Sequence, residues 1–174
     1  GKGVYAAIEK AQDNQRKFSW YLKLDVRKYF DSIDHQILMN LLIKRFKDKK
    51  LLRFFFKLIN SYSVSEGKGL PIGNLSSQYF ANHYLAIADH YLKEKLKVKA
   101  LIRYMDDIVI WDNDKIFLKE VYERLSFFLF FELKLNLKPI CLNHVKSGLP
   151  FCGYKIFPHS LRLGVRAKKR FKKK

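Results

Sequence analysis

Apolar and polar positions change period several times along the chain, and each change predicts an element. Over residues 4–15 (VYAAIEKAQDNQ) the apolar positions Val4, Ala7, Ile8 and Ala11 recur at helical spacing. Residues 19–26 (SWYLKLDV) switch to a period of two. Trp20, Leu22 and Leu24 alternate with Tyr21, Lys23 and Asp25, which predicts a strand with Asp25 near its end. A helix is expected over DHQILMNLLIKRF, with Asp31 or Ser32 as its cap, and another over DKKLLRFFFKLINSYS from near Asp48. EGKGLPIGNLSS holds three glycines and a proline and reads as a loop. It leads into a long helix from about Ser76 to Leu96, with Ser76 or Ser77 as cap. RYMDDIVIW, residues 103–111, reads as a hairpin with two aspartates between apolar runs. A helix follows over roughly Lys115 to Phe131, then KLNLKPICLNHVKSG, then a last strand pair within LPFCGYKIFPHSLRL. The order of strand, helices, hairpin, helix and strands predicts the α+β class, a mostly antiparallel sheet with helices packed on one face.

Composition narrows the partner. The chain has 174 residues, 48% of them hydrophobic and 16% aromatic, enough for one domain with a real core. Charges interrupt its most apolar stretches, LLRFFFKLIN and RLSFFLFFELKL, so neither reads as a membrane span. No secretory signal opens the sequence, and Cys141 and Cys152 lack any metal-like spacing, so free thiols in a reducing, cytoplasmic setting are expected. The opening GKG and the terminal charge run read as an excerpt from a longer protein. Lys plus Arg number 35 against 16 Asp plus Glu. The tail RLGVRAKKRFKKK, residues 162–174, holds eight of the basic residues, and 27 remain without it, so the body is basic too. A polyanion such as nucleic acid is the natural partner. An anionic membrane surface fits less well, because the tail has no regular apolar face.

Against that surplus, Asp106 and Asp107 stand side by side, and Asp25 ends a strand 81 residues before Asp106. Taken singly, each reads as a turn or solvated residue. If the first strand pairs beside the hairpin, three carboxylates gather at one sheet edge. Such a cluster is tolerable only where a divalent cation compensates it. Oxygen-only ligands select Mg²⁺ or Mn²⁺. Two ions of this kind activate an attacking oxygen and stabilise a leaving one, the chemistry of nucleotidyl transfer.

YMDD between apolar strands, YLKLDVRKYFDSIDH before it, GLPIGNLSSQYFANHYL between them and FCGYKIF after them resemble the motifs of reverse transcriptases, in that family's order. The resemblance runs from about Gly1 to the tail. It implies a polymerase palm with partial fingers over 1–161 and a basic tail over 162–174 where a thumb would begin. It implies two Mg²⁺ ions, with Mn²⁺ as the alternative. Asp25 and Asp106 match the metal-binding aspartates, Asp107 the supporting carboxylate, and the Val26 carbonyl a further ligand. Phe30 matches the steric gate that rejects a 2′-hydroxyl, although by itself it reads as a core residue. Pro71, Ile72 and Gly73 of LPIG, with Gln78, match the loop contacting nucleotide and template. Lys138 matches the lysine that protonates or steadies pyrophosphate, a general-acid role, while a solvated charge is its ordinary reading. Phe151, Cys152, Gly153 and Tyr154 match the primer grip. The implied partners are an RNA template, a DNA or RNA primer and deoxynucleotides, with no membrane.

Two positions bear on the branch. Many reverse transcriptases, group II intron types included, have glutamine before the loop glycine and Ser-Pro later. Here Ile72 and Gln78 occupy those places, and IGNLSSQ resembles the enzymes of diversity-generating retroelements, which misincorporate opposite template adenines and work with a basic accessory protein. Ile72 offers no hydrogen bond to the nascent pair, so a check on pair geometry is lost. The alternatives are a group II intron-type reverse transcriptase or maturase, an RNA polymerase (disfavoured by a bulky Phe30) and a catalytically silent nucleic-acid-binding module.

Overall fold

The computed structural model describes residues 3–164 and Lys168. It has two compact units, one comprising Gly1–Asp25, Lys97–Tyr122 and Pro139–Lys174 and the other Val26–Leu96 and Glu123–Lys138.

In the first unit, α1 (Gly3–Lys17) precedes strand β1 (Trp20–Asp25). β1 sits inside a four-stranded antiparallel sheet of order β2-β3-β1-β4, where β2 is Ala100–Tyr104, β3 is Asp107–Asp112 and β4 is Cys141–His144. Both faces of β1 are buried, because Tyr21 joins Leu22 and Leu24 in the interior. Simple alternation predicts one wet face. Here the face bearing Tyr21, Val109 and Trp111 packs with Ile8 and Ala11 of α1 and with Leu149, Phe151 and Ile156. Trp111 is fully buried, and its indole donates to Gln15 Oε1 at 2.9 Å. Gln15 Nε2 donates in turn to the Ile156 carbonyl at 2.9 Å, so a polar relay inside the core is satisfied.

The expected last strand pair is three strands: β5 (Leu149–Phe151), β6 (Tyr154–Ile156) and β7 (Leu161–Leu163), antiparallel in that order. The domain boundary expected at 161 falls inside β7. Apart from Arg162 to Gly164 and Lys168, the basic tail lies outside the described residues.

Tyr21 donates its phenol to the Gly148 carbonyl at 3.1 Å. Burial, and then the nearby Cys141, push that phenol from 10.0 up to about 12. An unfolded chain ionises this tyrosine above pH 10, whereas the folded one holds the proton. The stability it contributes is therefore complete below pH 10 and is lost as pH rises toward about 12. Thermal melts of the parent and Tyr21→Phe between pH 9 and 12 are expected to converge as pH rises. Parallel curves would remove Tyr21 from the alkaline transition.

The second unit is helical: α2 (Tyr29–Ser32), α3 (His35–Arg45), α4 (Lys49–Asn60) and α5 (Leu75–His90). Asp48 caps α4 as expected, accepting from the Lys50 and Leu51 amides at 2.7 and 3.1 Å. The cap of α3 is Asp34, not Asp31 or Ser32. Those two belong to α2, and the backbone extends at Ile33 and Asp34 before α3 begins. Asp34 accepts from the Ile37 amide at 3.0 Å and pairs with Lys134 at 2.6 Å. Burial works against its charge, but the Lys134 hydrogen bond and the Ile37 amide outweigh that and hold the carboxyl below its ordinary range. α5 begins at Leu75, with Asn74 as N-cap and no side-chain cap bond, so Ser76 and Ser77 lie inside the helix. Its continuation is one π turn, Tyr91–Lys95. Phe55 meets Phe46 and Phe80 edge-on at 5.5 and 5.3 Å and knits α3, α4 and α5 together. Helix α6 (Lys115–Leu133) buries Leu118, Val121, Leu125, Leu129 and Leu133, a three-to-four-residue stripe. Among the described residues, no helix is long and apolar enough to cross a membrane.

Candidate active site at the sheet edge

β1 and β3 run antiparallel with Asp25 opposite Asp107, and β2 and β3 pair Tyr104 with Asp107. The β2–β3 turn is therefore Met105 and Asp106, and Asp107 is already a strand residue. Met105 takes φ 56°, a left-handed value at which a two-residue hairpin turn ordinarily places glycine. A non-glycine residue held there stores strain of order 1–3 kcal/mol, a cost that tends to persist at functional sites. Residues opposite one another share a face of the sheet. One face thus grades from the apolar Tyr21–Trp111 pair through Lys23–Val109 to the carboxylates Asp25 and Asp107 at the edge.

Sequence reading passed over Lys23. Its ammonium lies 3.1 Å from Asp107 Oδ1 and donates to the Pro150 carbonyl at 3.0 Å. The available signal was a lysine in phase with Tyr21 and Asp25, on a face with an apolar interior.

The hairpin of Phe151 to Tyr154 pairs those two residues across a turn of Cys152 and Gly153, with φ 47° and 83°. Two successive positive φ values define a type I′ turn, and glycine at 153 serves that conformation. A Cβ at Gly153 would meet nothing in the chain, whereas one at Gly164 would stand 2.6 Å from the Gly153 carbonyl oxygen. The close backbone approach within the chain is at Gly164, whose amide donates to Gly153 O at 2.8 Å. Burial first, then the charge of Asp107, push the Cys152 thiol up to about 11, while Lys23 pulls the other way. Lys23, bonded to both Asp107 and the Pro150 carbonyl, brings this hairpin's first strand beside the carboxylate edge.

In the second unit, the Leu70 amide donates to the Phe30 carbonyl at 2.9 Å, so the LPIG loop and Phe30 are brought together. Phe30 is half-buried, edge-on to Tyr29 at 5.8 Å. Pro71 is half-buried, and Ile72 stands 78% exposed before Gly73, whose φ of 98° turns the chain toward α5. Gln78 is exposed on the first turns of α5. Val26 forms an isolated antiparallel bridge with Leu137, and the exposed Lys138 follows directly.

The donor set suits a hard divalent cation. Asp25 and Asp107 oppose one another and Asp106 adjoins Asp107, an all-oxygen set of carboxylates. Among the described residues, no three His, Cys, Asp or Glu side chains converge as a metal-binding group. Mg²⁺ commonly needs only one or two carboxylates and completes its shell with water and substrate phosphate.

The family described as reverse transcriptase (RNA-dependent DNA polymerase) matches residues 2–156. The Putative COX1/OXI3 intron 2 protein of Saccharomyces cerevisiae is 31% identical over 98 residues, covering 52% of this chain and 12% of its own length. Protein YkfC of Escherichia coli is 23% identical over 185 residues, 83% of this chain and 49% of its own. The group II intron-encoded protein LtrA of Lactococcus lactis subsp. cremoris is 29% identical over 86 residues, 46% of this chain and 14% of its own. The chain thus spans less than half the length of each of these relatives. In fold, it resembles telomerase of Candida albicans in complex with a TWJ fragment of telomeric RNA, with a TM-score of 0.70 at 13% identity over 94% of this chain and 34% of that one. Apo telomerase of Candida tropicalis gives 0.66 at 14% identity over 91% and 36%. That likeness extends to a mixed helix and antiparallel-sheet palm with fingers. With its motifs inside a family match that spans residues 2–156, the chain belongs to the reverse transcriptase (RNA-dependent DNA polymerase) family.

Proposed function

We propose that this chain is the catalytic core of an RNA-directed DNA polymerase that extends a primer with deoxynucleotides. The observation that carries the reading is the register: Asp25 faces Asp107, with Asp106 in the adjoining turn. Asp25, Asp106 and the Val26 carbonyl would hold two Mg²⁺ ions, or Mn²⁺, with Asp107 in support. Bound there, the ions would lower the barrier to attack of a primer 3′-oxygen on a nucleotide phosphate. Phe30 gates the sugar, and Pro71, Ile72, Gly73 and Gln78 contact nucleotide and template. Lys138 steadies the departing pyrophosphate. Phe151, Cys152, Gly153 and Tyr154 hold the primer end. The surplus of basic residues draws in the RNA template and primer.

Two branches of the family are supported by different observations. The exposed Ile72 and Gln78 favour the error-prone enzyme of a diversity-generating retroelement, working with an accessory protein. Intron-encoded relatives favour a group II intron-type reverse transcriptase. Primer extension by the full-length parent on an adenine-containing RNA template, with sequenced products, separates them. The retroelement reading expects errors concentrated opposite adenine, and about a tenfold correction by Ile72→Gln, the scale of about one hydrogen bond. Even fidelity in both proteins would select the intron-type reading. Template binding without any extension would turn the assignment to a binding module.

A further inference from the structure

We propose that Lys23 is a positioning residue for nucleotidyl transfer, tying the carboxylate edge of one sheet to the primer-grip strand of another; this rests on the polymerase reading above. Lys23 lies in the middle of β1, paired with Val109 on one side and Cys141 on the other. Its side chain is 19% exposed, and the ammonium bridges Asp107 Oδ1 at 3.1 Å and the Pro150 carbonyl at 3.0 Å. Pro150 is the central residue of β5, an outer strand of the three-stranded sheet, and precedes the Phe151–Tyr154 hairpin. One cation therefore holds both a carboxylate of the sheet edge and the backbone that carries the Phe151–Tyr154 turn.

The chemistry gives this geometry two effects. The Asp107 oxygen that accepts from Lys23 is fixed in direction by the ammonium, which gives Asp107 an orienting role at the carboxylate edge. The second bond fixes the spacing between that edge and the turn. In-line attack depends on this spacing, and a misplacement of about 1 Å costs about 100-fold in rate. A lysine chosen only for solubility would extend its ammonium into water, because a long aliphatic stem normally delivers its charge to solvent.

The test uses the full-length parent, Lys23→Met, Lys23→Arg, Asp107→Asn and the Lys23→Met/Asp107→Asn double variant. Primer extension is measured as kcat and KM for deoxynucleotide, beside primer–template affinity and thermal melting. The expected result for Lys23→Met is a kcat loss of about 10- to 100-fold, with KM and nucleic-acid affinity within about threefold. Lys23→Arg, which keeps a donor for both partners, recovers most of the kcat. In the Asp107→Asn background the Lys23→Met penalty shrinks, because the two residues act as one unit. Should Lys23→Met fail to fold, the soluble Lys23→Arg and Asp107→Asn proteins still decide: an arginine variant as impaired as Asp107→Asn overturns the tether. A parent that extends primers equally well with or without Lys23, or penalties that simply add, would overturn the Lys23 assignment alone. A parent that binds template and extends nothing would overturn the polymerase reading and the positioning role together.

Discussion

Asp106→Asn is expected to abolish primer extension, lowering the rate by about 1000-fold or more, while template affinity stays within about twofold. The size follows from the role. A divalent ion contributes several kcal/mol of charge stabilisation to the transition state, and each 1.36 kcal/mol is tenfold in rate. Asparagine keeps the shape of the side chain and its place in the Met105–Asp106 turn but removes the charge that, on the proposed reading, would hold the ion. On the proposed reading, template binding would draw on basic residues spread along the sequence and would be indifferent to one carboxylate. Steady-state extension and filter binding of the same preparation check both halves. Comparable losses in each would show that Asp106 holds the fold together and would sink its assignment to the metal.

Trp111→Ala carries the largest stability effect expected in the first unit. The ring is fully buried in the cluster formed with Tyr21, Ile8 and Phe151. Truncating a buried aromatic to alanine costs about 3–5 kcal/mol. Here the loss also strands Gln15 Oε1, which accepts the indole proton at 2.9 Å, and an orphaned buried acceptor adds about 1–3 kcal/mol. Trp111→Phe, which keeps much of the volume and drops the donor, separates the two contributions. Denaturant unfolding of the three proteins gives the comparison. A Trp111→Phe protein as stable as the parent would show that the Gln15 bond contributes nothing net.

How far the sequence foretold this molecule depended on the range of the interactions that decide each feature. β1, the β2–β3 hairpin and α4 were legible, because alternation, paired apolar runs and the Asp48 cap act between near neighbours. The cap of α3 was misplaced by a few residues. Asp31, Ser32 and Asp34 are all competent capping residues, and the choice fell to Asp34, which also meets Lys134 at 2.6 Å. No local pattern contains a partner 100 residues away. The serines at 76 and 77 were good caps by type, but the backbone enters α5 one residue earlier, through Gly73 and Asn74. At the candidate site, the motifs named the carboxylates, yet the register that sets Asp25 against Asp107 is a pairing between distant strands. Lys23 shows in the sequence only as a lysine in phase with Tyr21 and Asp25, because its two partners, Asp107 and Pro150, are both remote in sequence. The donation from Leu70 to Phe30 likewise joins two motifs that composition treats as separate.

The placement of β1 inside its sheet governs the order in which the protein acquires structure. β1 has no sequential neighbour to pair with: Asp25 waits for Asp107, and Trp20 waits for both Asp112 and His144. Loops that long close slowly, because their entropy is lost before any contact rewards it. A ribosome therefore releases most of the chain before the sheet edge holding the carboxylates exists. Until then β1 is an apolar strand with both edges open, the kind of segment on which chaperones act and through which nascent chains aggregate.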